Sequence, residues 1–168
     1  MDTKGDRDKN LSGKRVLIVD SNATSRQELS EMFTYWGCRS DDASEASLAL
    51  EKLRTAWKED DPFHIVTLDM FIPDTDGESL GKTIRQKPEY QNIALIMITS
   101  VAKRGDAPRL EKIGFSAYLT KPLTQSSLYN GLMSIIHRKP DSDALPGRII
   151  TRHTVAENHK RNLRILLA

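Results

Sequence analysis

Four short apolar runs, each closing on polar or charged residues, constrain this chain more than anything else in it. "RVLIVD" ends in Asp20, "FHIVTLD" in Asp69, "ALIMITS" in Thr99 and Ser100, and "AYLTKP" in Lys121 and Pro122. Runs of Val, Ile and Leu without alternating polar residues suit strands buried on both faces. The stretches between them have helical spacing. In "SNATSRQELSEMFTYWG" the apolar residues Leu29, Met32, Phe33 and Trp36 share a face, Gly37 stops the helix, and Asn22 or Thr24 caps its start.

The later stretches follow the same pattern. Ala46, Leu50, Leu53 and Trp57 mark a second helix, with Ser44 as its cap. "DGESLGKTIRQ" and "DAPRLEKIGF" read as shorter helices, the latter closed near Gly114. "TQSSLYNGLMSIIHRK" turns Leu128, Leu132, Ile135 and Ile136 inward, and "CRSDDA" is a weak strand candidate. A β-α alternation repeated in this way predicts an α/β domain with a parallel sheet, helices on both faces and right-handed crossovers.

The ends read differently. Residues 1–13 are expected to be a disordered leader, residues 14–138 the domain, and residues 139–168 a linker followed by the opening of another strand, "LRILLA". A net charge of +2 gives no argument for nucleic acid or a membrane surface, and no apolar run approaches a bilayer's thickness. The basic tail, with Arg148, Arg152, Lys160, Arg161 and Arg164, reads as a solvated linker rather than a nucleic-acid patch. Cys38 is the lone cysteine, which suits a reducing cytoplasmic setting and argues against a zinc cluster. The histidines are scattered without metal-ligand spacing.

In an open parallel sheet, functional groups gather beyond the carboxyl ends of the strands. Two carboxylates, a hydroxyl and an amine are therefore expected to meet at one edge. Paired carboxylates favour a hard divalent cation, and Mg²⁺ is commonly held by one or two of them plus water. A carboxylate can also attack phosphorus, while a lysine supplies a point charge for phosphate oxygens.

Taken together, "VLIVD", "LDMFIPDTDG", "IMITS" and "AYLTKPL" resemble a response-regulator receiver (CheY-like) domain over roughly residues 14–137. The resemblance implies a flavodoxin-like doubly wound (βα)5 three-layer sandwich with sheet order 2-1-3-4-5. By it, Asp69 is the phospho-acceptor and Lys121 the phosphate-contacting lysine. Asp20, Asp69 and the backbone carbonyl of Phe71 would hold Mg²⁺. Thr99 would be the switch hydroxyl and Tyr118 the aromatic that reports activation. The Lys121–Pro122 bond matches one that is usually cis in the family. "TSVAKRGDAPRLEKIGFSAYLTKPL" and the tail resemble the first of two tandem receivers of a hybrid sensor histidine kinase. The implied partners are the kinase core or a histidine phosphotransfer protein, a second receiver, and a homodimer partner on the helix 4–strand 5–helix 5 face. Such a receiver is no free-standing enzyme; it would catalyse only its own Mg²⁺-dependent phosphorylation. Its setting would be cytoplasmic even where the parent kinase, a transferase, is membrane-anchored.

One position departs from the pattern. Receivers usually carry adjacent acids after strand 1, whereas this chain has Asp20-Ser21. The missing ligand is expected to weaken Mg²⁺ binding, and it keeps open an alternative, a non-phosphorylated pseudo-receiver that regulates its kinase by contact. Phe71 and Val101, two residues after the acceptor and the switch hydroxyl, are apolar and are expected to slow hydrolysis of a phosphoryl group. An aspartyl-nucleophile phosphatase is set aside, because Phe71 stands where those enzymes resemble one another in carrying a second Asp.

Overall fold

The computed structural model describes residues 10–136 and the backbone of Ile150–Thr151. The elements in chain order are β1 (Arg15–Val19), α1 (Ala23–Tyr35), β2 (Arg39–Ala43), α2 (Ala46–Lys58), β3 (Ile65–Asp69), β4 (Phe71–Ile72), β5 (Thr75–Asp76) and α3 (Gly77–Arg85). They continue with β6 (Ala94–Thr99), α4 (Asp106–Ile113), β7 (Ala117–Thr120), α5 (Gln125–Ile136) and β8 (Ile150–Thr151). The main sheet runs β2-β1-β3-β6-β7-β8, every pair parallel. Its first five strands give the expected doubly wound order.

Alternation along the strands divides the interior. Leu17, Val19, Val66, Leu68, Leu95 and Met97 face one core, under α2, α3 and α4. Val16, Ile18, Ile65, Ile96, Ile98 and Leu119 face the other, under α1 and α5. Fully burying such a side chain is worth about 1.5–3 kcal/mol, so both faces of β1, β3 and β6 contribute to stability.

Several expectations are corrected in detail. α2 buries Ala46, Ala49, Leu53 and Ala56, while Trp57 is 48% exposed. Three alanines beside Leu53 let this helix lie close to the sheet, so the bulky Trp57 sits outside the contact. Ser44 does not cap α2. Instead Asp74 accepts from the amides of Ala46 (2.9 Å) and Ser47 (3.0 Å), capping the helix from the β4–β5 turn. Asn22 does cap α1, accepting from the Ser25 amide at 3.0 Å.

The expected leader includes Leu11, which is fully buried and whose carbonyl accepts from Cys38 Sγ at 3.4 Å. Residues 10–13 are therefore part of the packed domain, while residues 1–9 lie outside the described residues. The expected linker contributes β8, whose Ile150 and Thr151 pair with Ala117 and Tyr118. The rest of it, including "LRILLA", lies outside the described residues.

Register delivers the chemistry to one place. Val19 pairs with Leu68, so Asp20 and Asp69 follow side by side. Asp69 pairs with Ile98, and Thr99 with Thr120, so Thr99 and Lys121 emerge one step farther along the same edge.

Candidate functional site

Asp20 is the most deeply placed of the charged groups, 2% exposed. A carboxylate so far from water needs partners for both oxygens. Oδ1 accepts from the Asn22 amide at 2.9 Å and Oδ2 from Lys121 Nζ at 2.7 Å. Lys121 also donates to Asp69 Oδ2 at 3.4 Å and to Ser25 Oγ at 3.5 Å. The Lys121–Pro122 peptide is cis.

Asp69 is less fully served. Besides the long bond from Lys121, its Oδ1 accepts from the Phe71 amide at 3.4 Å. Burial and then the neighbouring Asp20 charge push its carboxyl above the ordinary range, against the pull of Lys121. Burial opposes the Lys121 ammonium as well, but the bond and charge of Asp20, followed by Asp69, outweigh it and raise its pKa. A carboxylate whose charge is disfavoured by burial and a like neighbour, opposed by one shared cation and with lone pairs to spare, has the features a nucleophile needs.

Gly77 explains why an Asp-Gly pair follows β3. A Cβ at residue 77 would stand 2.2 Å from the Asp69 carbonyl oxygen. Only glycine lets α3 start against the backbone of Asp69, and its amide closes on the Met70 carbonyl at 2.8 Å. Asp76 caps the same helix through the Ser79 amide at 2.7 Å.

The structure thus unites Asp20, Asp69 and Lys121 in hydrogen-bonding contact. Thr99 is fully buried at the same edge, but its hydroxyl is engaged with its own loop, accepting from the Val101 amide at 3.2 Å. Tyr118 is 8% exposed and donates to Asp106 Oδ2 at 2.7 Å. Phe71 is 56% exposed beside Asp69.

Asn22, Ser25, Asp74 and Asp106 escaped sequence reading as members of this region. Their only signal was polar chemistry near helix starts, which serves equally for ordinary caps.

A buried carboxylate and a half-buried one share a lysine at the carboxyl edge of a doubly wound α/β sheet, where such folds gather their functional groups. The family model described as the response regulator receiver domain matches residues 16–133, and the chain belongs to that family. It is thus a receiver domain of two-component signalling. The chemotaxis protein CheY-3 of Vibrio cholerae is 31% identical over 124 residues, covering 74% of this chain and 92% of that protein. The signal transduction histidine-protein kinase BarA of Escherichia coli is 33% identical over 90 residues, 54% of this chain but 9% of the kinase. Among solved structures, the CheX–CheY–BeF3–Mg²⁺ complex from Borrelia burgdorferi superposes with a TM-score of 0.69 at 26% identity. That match covers 76% of this chain and 92% of the solved one.

Proposed function

We propose that this receiver is a phosphoacceptor in a phosphorelay, taking its phosphoryl group from a phosphohistidine onto Asp69. The observation that carries the reading is Lys121, bonded to Asp20 at 2.7 Å and to Asp69 at 3.4 Å. Its stronger tie is to the buried acid, which leaves Asp69 free to react. An Asp69 oxygen attacks phosphorus and the P–N bond breaks. The bonding pair goes to the imidazole, which leaves neutral because its other nitrogen carries a proton. Lys121 then faces an acyl phosphate, whose charge it offsets.

Asp20, Asp69 and the Phe71 carbonyl are the residues that would hold Mg²⁺, which offsets charge on the transferring group when bound. Two carboxylates suffice for that ion's usual mode. Among the described residues no group of three or more His, Cys, Asp or Glu converges, and both Asp20 oxygens already have partners. The pocket therefore supports Mg²⁺ binding that is weaker than a third acid at residue 21 would give. A Mg²⁺ titration of wild type against Ser21→Asp tests this, and equal affinities refute it.

Partners follow from the surroundings. A cleft of about 370 Å³ opens between α1 and the β7–α5 loop, lined by Leu29, Met32, Ile98, Lys121, Pro122 and Leu123. Its apolar walls beside Lys121 suit a helix bearing the donor histidine, from a kinase core or a phosphotransfer protein. The BarA match supports a histidine-kinase parent, and the tail's resemblance to an inter-receiver connector is the ground for a hybrid kind with a second receiver in the cytoplasm. A second copy meeting the α4–β7–α5 face would encounter β8, which occupies the β7 edge. Exposed Phe71 and Val101 are apolar shields expected to slow loss of the phosphoryl group.

The deciding experiment is mass spectrometry after incubation with a small acyl phosphate and Mg²⁺. A mass gain of one phosphoryl group that disappears in Asp69→Asn is expected. No gain in wild type favours the second reading, a pseudo-receiver acting by contact, for which the carboxylate missing at Ser21 is the motivating observation.

A further inference from the structure

Asp106 is a buried carboxylate that the acceptor pocket does not use. It opens α4, is 3% exposed, and follows Gly105, whose φ of +85° sets the helix entry. Its oxygens are fully engaged. Oδ2 accepts from the Tyr118 hydroxyl at 2.7 Å and from the Lys103 amide at 3.0 Å, and Oδ1 from Arg109 Nη2 at 2.7 Å. Arg109 Nε donates in turn to Glu78 Oε1 on α3 at 2.6 Å. An unbroken run of bonds thus leads from β7 through α4 to α3.

The same carboxylate closes the loop that begins at Thr99. At its near end the Val101 amide rests on Thr99 Oγ1 at 3.2 Å; at its far end the Lys103 amide rests on Asp106. If Thr99 turns its hydroxyl toward Asp69, the near bond breaks and the loop is pulled against the far one. Burial works against the Asp106 charge, but the bonds from Tyr118, Arg109 and the Lys103 amide outweigh it and hold the carboxyl below its ordinary range. Burial, then the bond to Asp106, pushes the Tyr118 hydroxyl up to about 12.

We propose that Asp106 is the positioning residue of the switch, a single buried carboxylate through which a change at Asp69 and Thr99 reaches Tyr118 on β7 and Glu78 on α3. The proposal rests on the phosphoacceptor reading and adds the route by which that site acts on its surroundings. An aliphatic or amide side chain at residue 106 would leave the acceptor pocket intact and cut the route.

The test uses the full chain, beryllofluoride with Mg²⁺ as the acyl-phosphate mimic, and backbone and tyrosine-ring NMR. In wild type, shifts at Thr99 and Val101 should be accompanied by shifts at Tyr118 and Glu78. In Asp106→Asn the first pair should persist and the second fall to baseline, with Tyr118 titrating below its wild-type position. Arg109→Gln, at an exposed residue, should silence Glu78 alone while Tyr118 still responds, and it serves equally if Asp106→Asn fails to fold. Shifts at Glu78 as large in both variants as in wild type would overturn the proposal. A wild-type chain that shows no shift even beside Asp69 would remove the phosphoacceptor reading, and the proposal with it.

Discussion

The two ends of the sheet hold their charges in opposite ways. At the amino end, Asp61 takes both arms of Arg39 at 2.9 Å, with Arg15 within 3.5 Å, and the bond from Arg39 lowers its pKa. At the carboxyl end, Asp69 lies beside Asp20, shares one lysine with it, and has its pKa raised. One end is relaxed when ionised and the other is not. Residues arranged for stability satisfy their charges locally, whereas residues arranged for chemistry retain a conflict that a reaction can relieve.

Removing Lys121 should have the largest effect. Lys121→Met strips the buried Asp20 of its cation, and breaking such a pair costs on the order of 3 kcal/mol. Chemical denaturation should show that loss, and the acyl-phosphate assay should show a fall in Asp69 labelling of about 100-fold or more. If labelling survived, the carboxyl end would be no more reactive than the amino end. Gly77→Ala comes next. Its Cβ would meet the Asp69 carbonyl oxygen at 2.2 Å, so α3 or β3 must shift. A cost of about 2 kcal/mol is expected from such overpacking, along with slower labelling, because the strain falls on the backbone of Asp69 itself.

These two residues also show what the sequence made legible. The apolar runs announced β1, β3 and β6, because strands buried on both faces can carry little else. The polar residues closing those runs marked the site, because parallel register brings strand ends together. Lys121 was found by its place after "AYLT". The edge strand β2 was faint because Asp41 and Asp42 are paired with Lys52 and Arg26 across a solvent-facing surface, leaving no apolar signature. The face of α2 was legible in Ala46, Leu53 and the partly buried Leu50 but not in Trp57, because Ala49 and Ala56 complete the contact and leave that large ring outside it. Asp106 could not be recognised as a hub, since an acid opening a helix is common, its partner Tyr118 lies on a later strand, and Glu78 is reached only through Arg109. β8 was hidden because two residues carry no periodicity.

Asp69→Asn should be smaller and of opposite sign, raising stability and Tm near neutral pH. The folded pKa of Asp69 lies above its ordinary value of 3.8. Above the folded pKa the carboxyl is ionised in both states, and the native state bears the cost of crowding it against Asp20. As pH falls through the folded pKa, protonation relieves that cost, and below 3.8 no difference remains. Thermal melts of wild type and variant should therefore converge on acidification. Constant separation would mean that Asp69 is not electrostatically strained.

Asp61→Asn sharpens the contrast with the smallest shift. The side chain is 41% exposed, where solvent screens the pair and conformational freedom offsets part of the gain. The folded pKa lies below 3.8, so the stabilisation is present above that value and is lost as pH falls through the folded one. Wild type should melt slightly above the variant at neutral pH, and the gap should close on acidification. Both gaps close in acid, but from opposite sides: the Asp69 variant begins above wild type and the Asp61 variant below. Added salt separates them further. It should shrink the Asp61 gap, since that pair is exposed, and leave the Asp69 gap largely intact, since its carboxylate lies with a buried neighbour. Equal salt sensitivity at the two ends would show that burial at the carboxyl edge does not shield the charges there, and the distinction between a satisfied end and a poised one would fail.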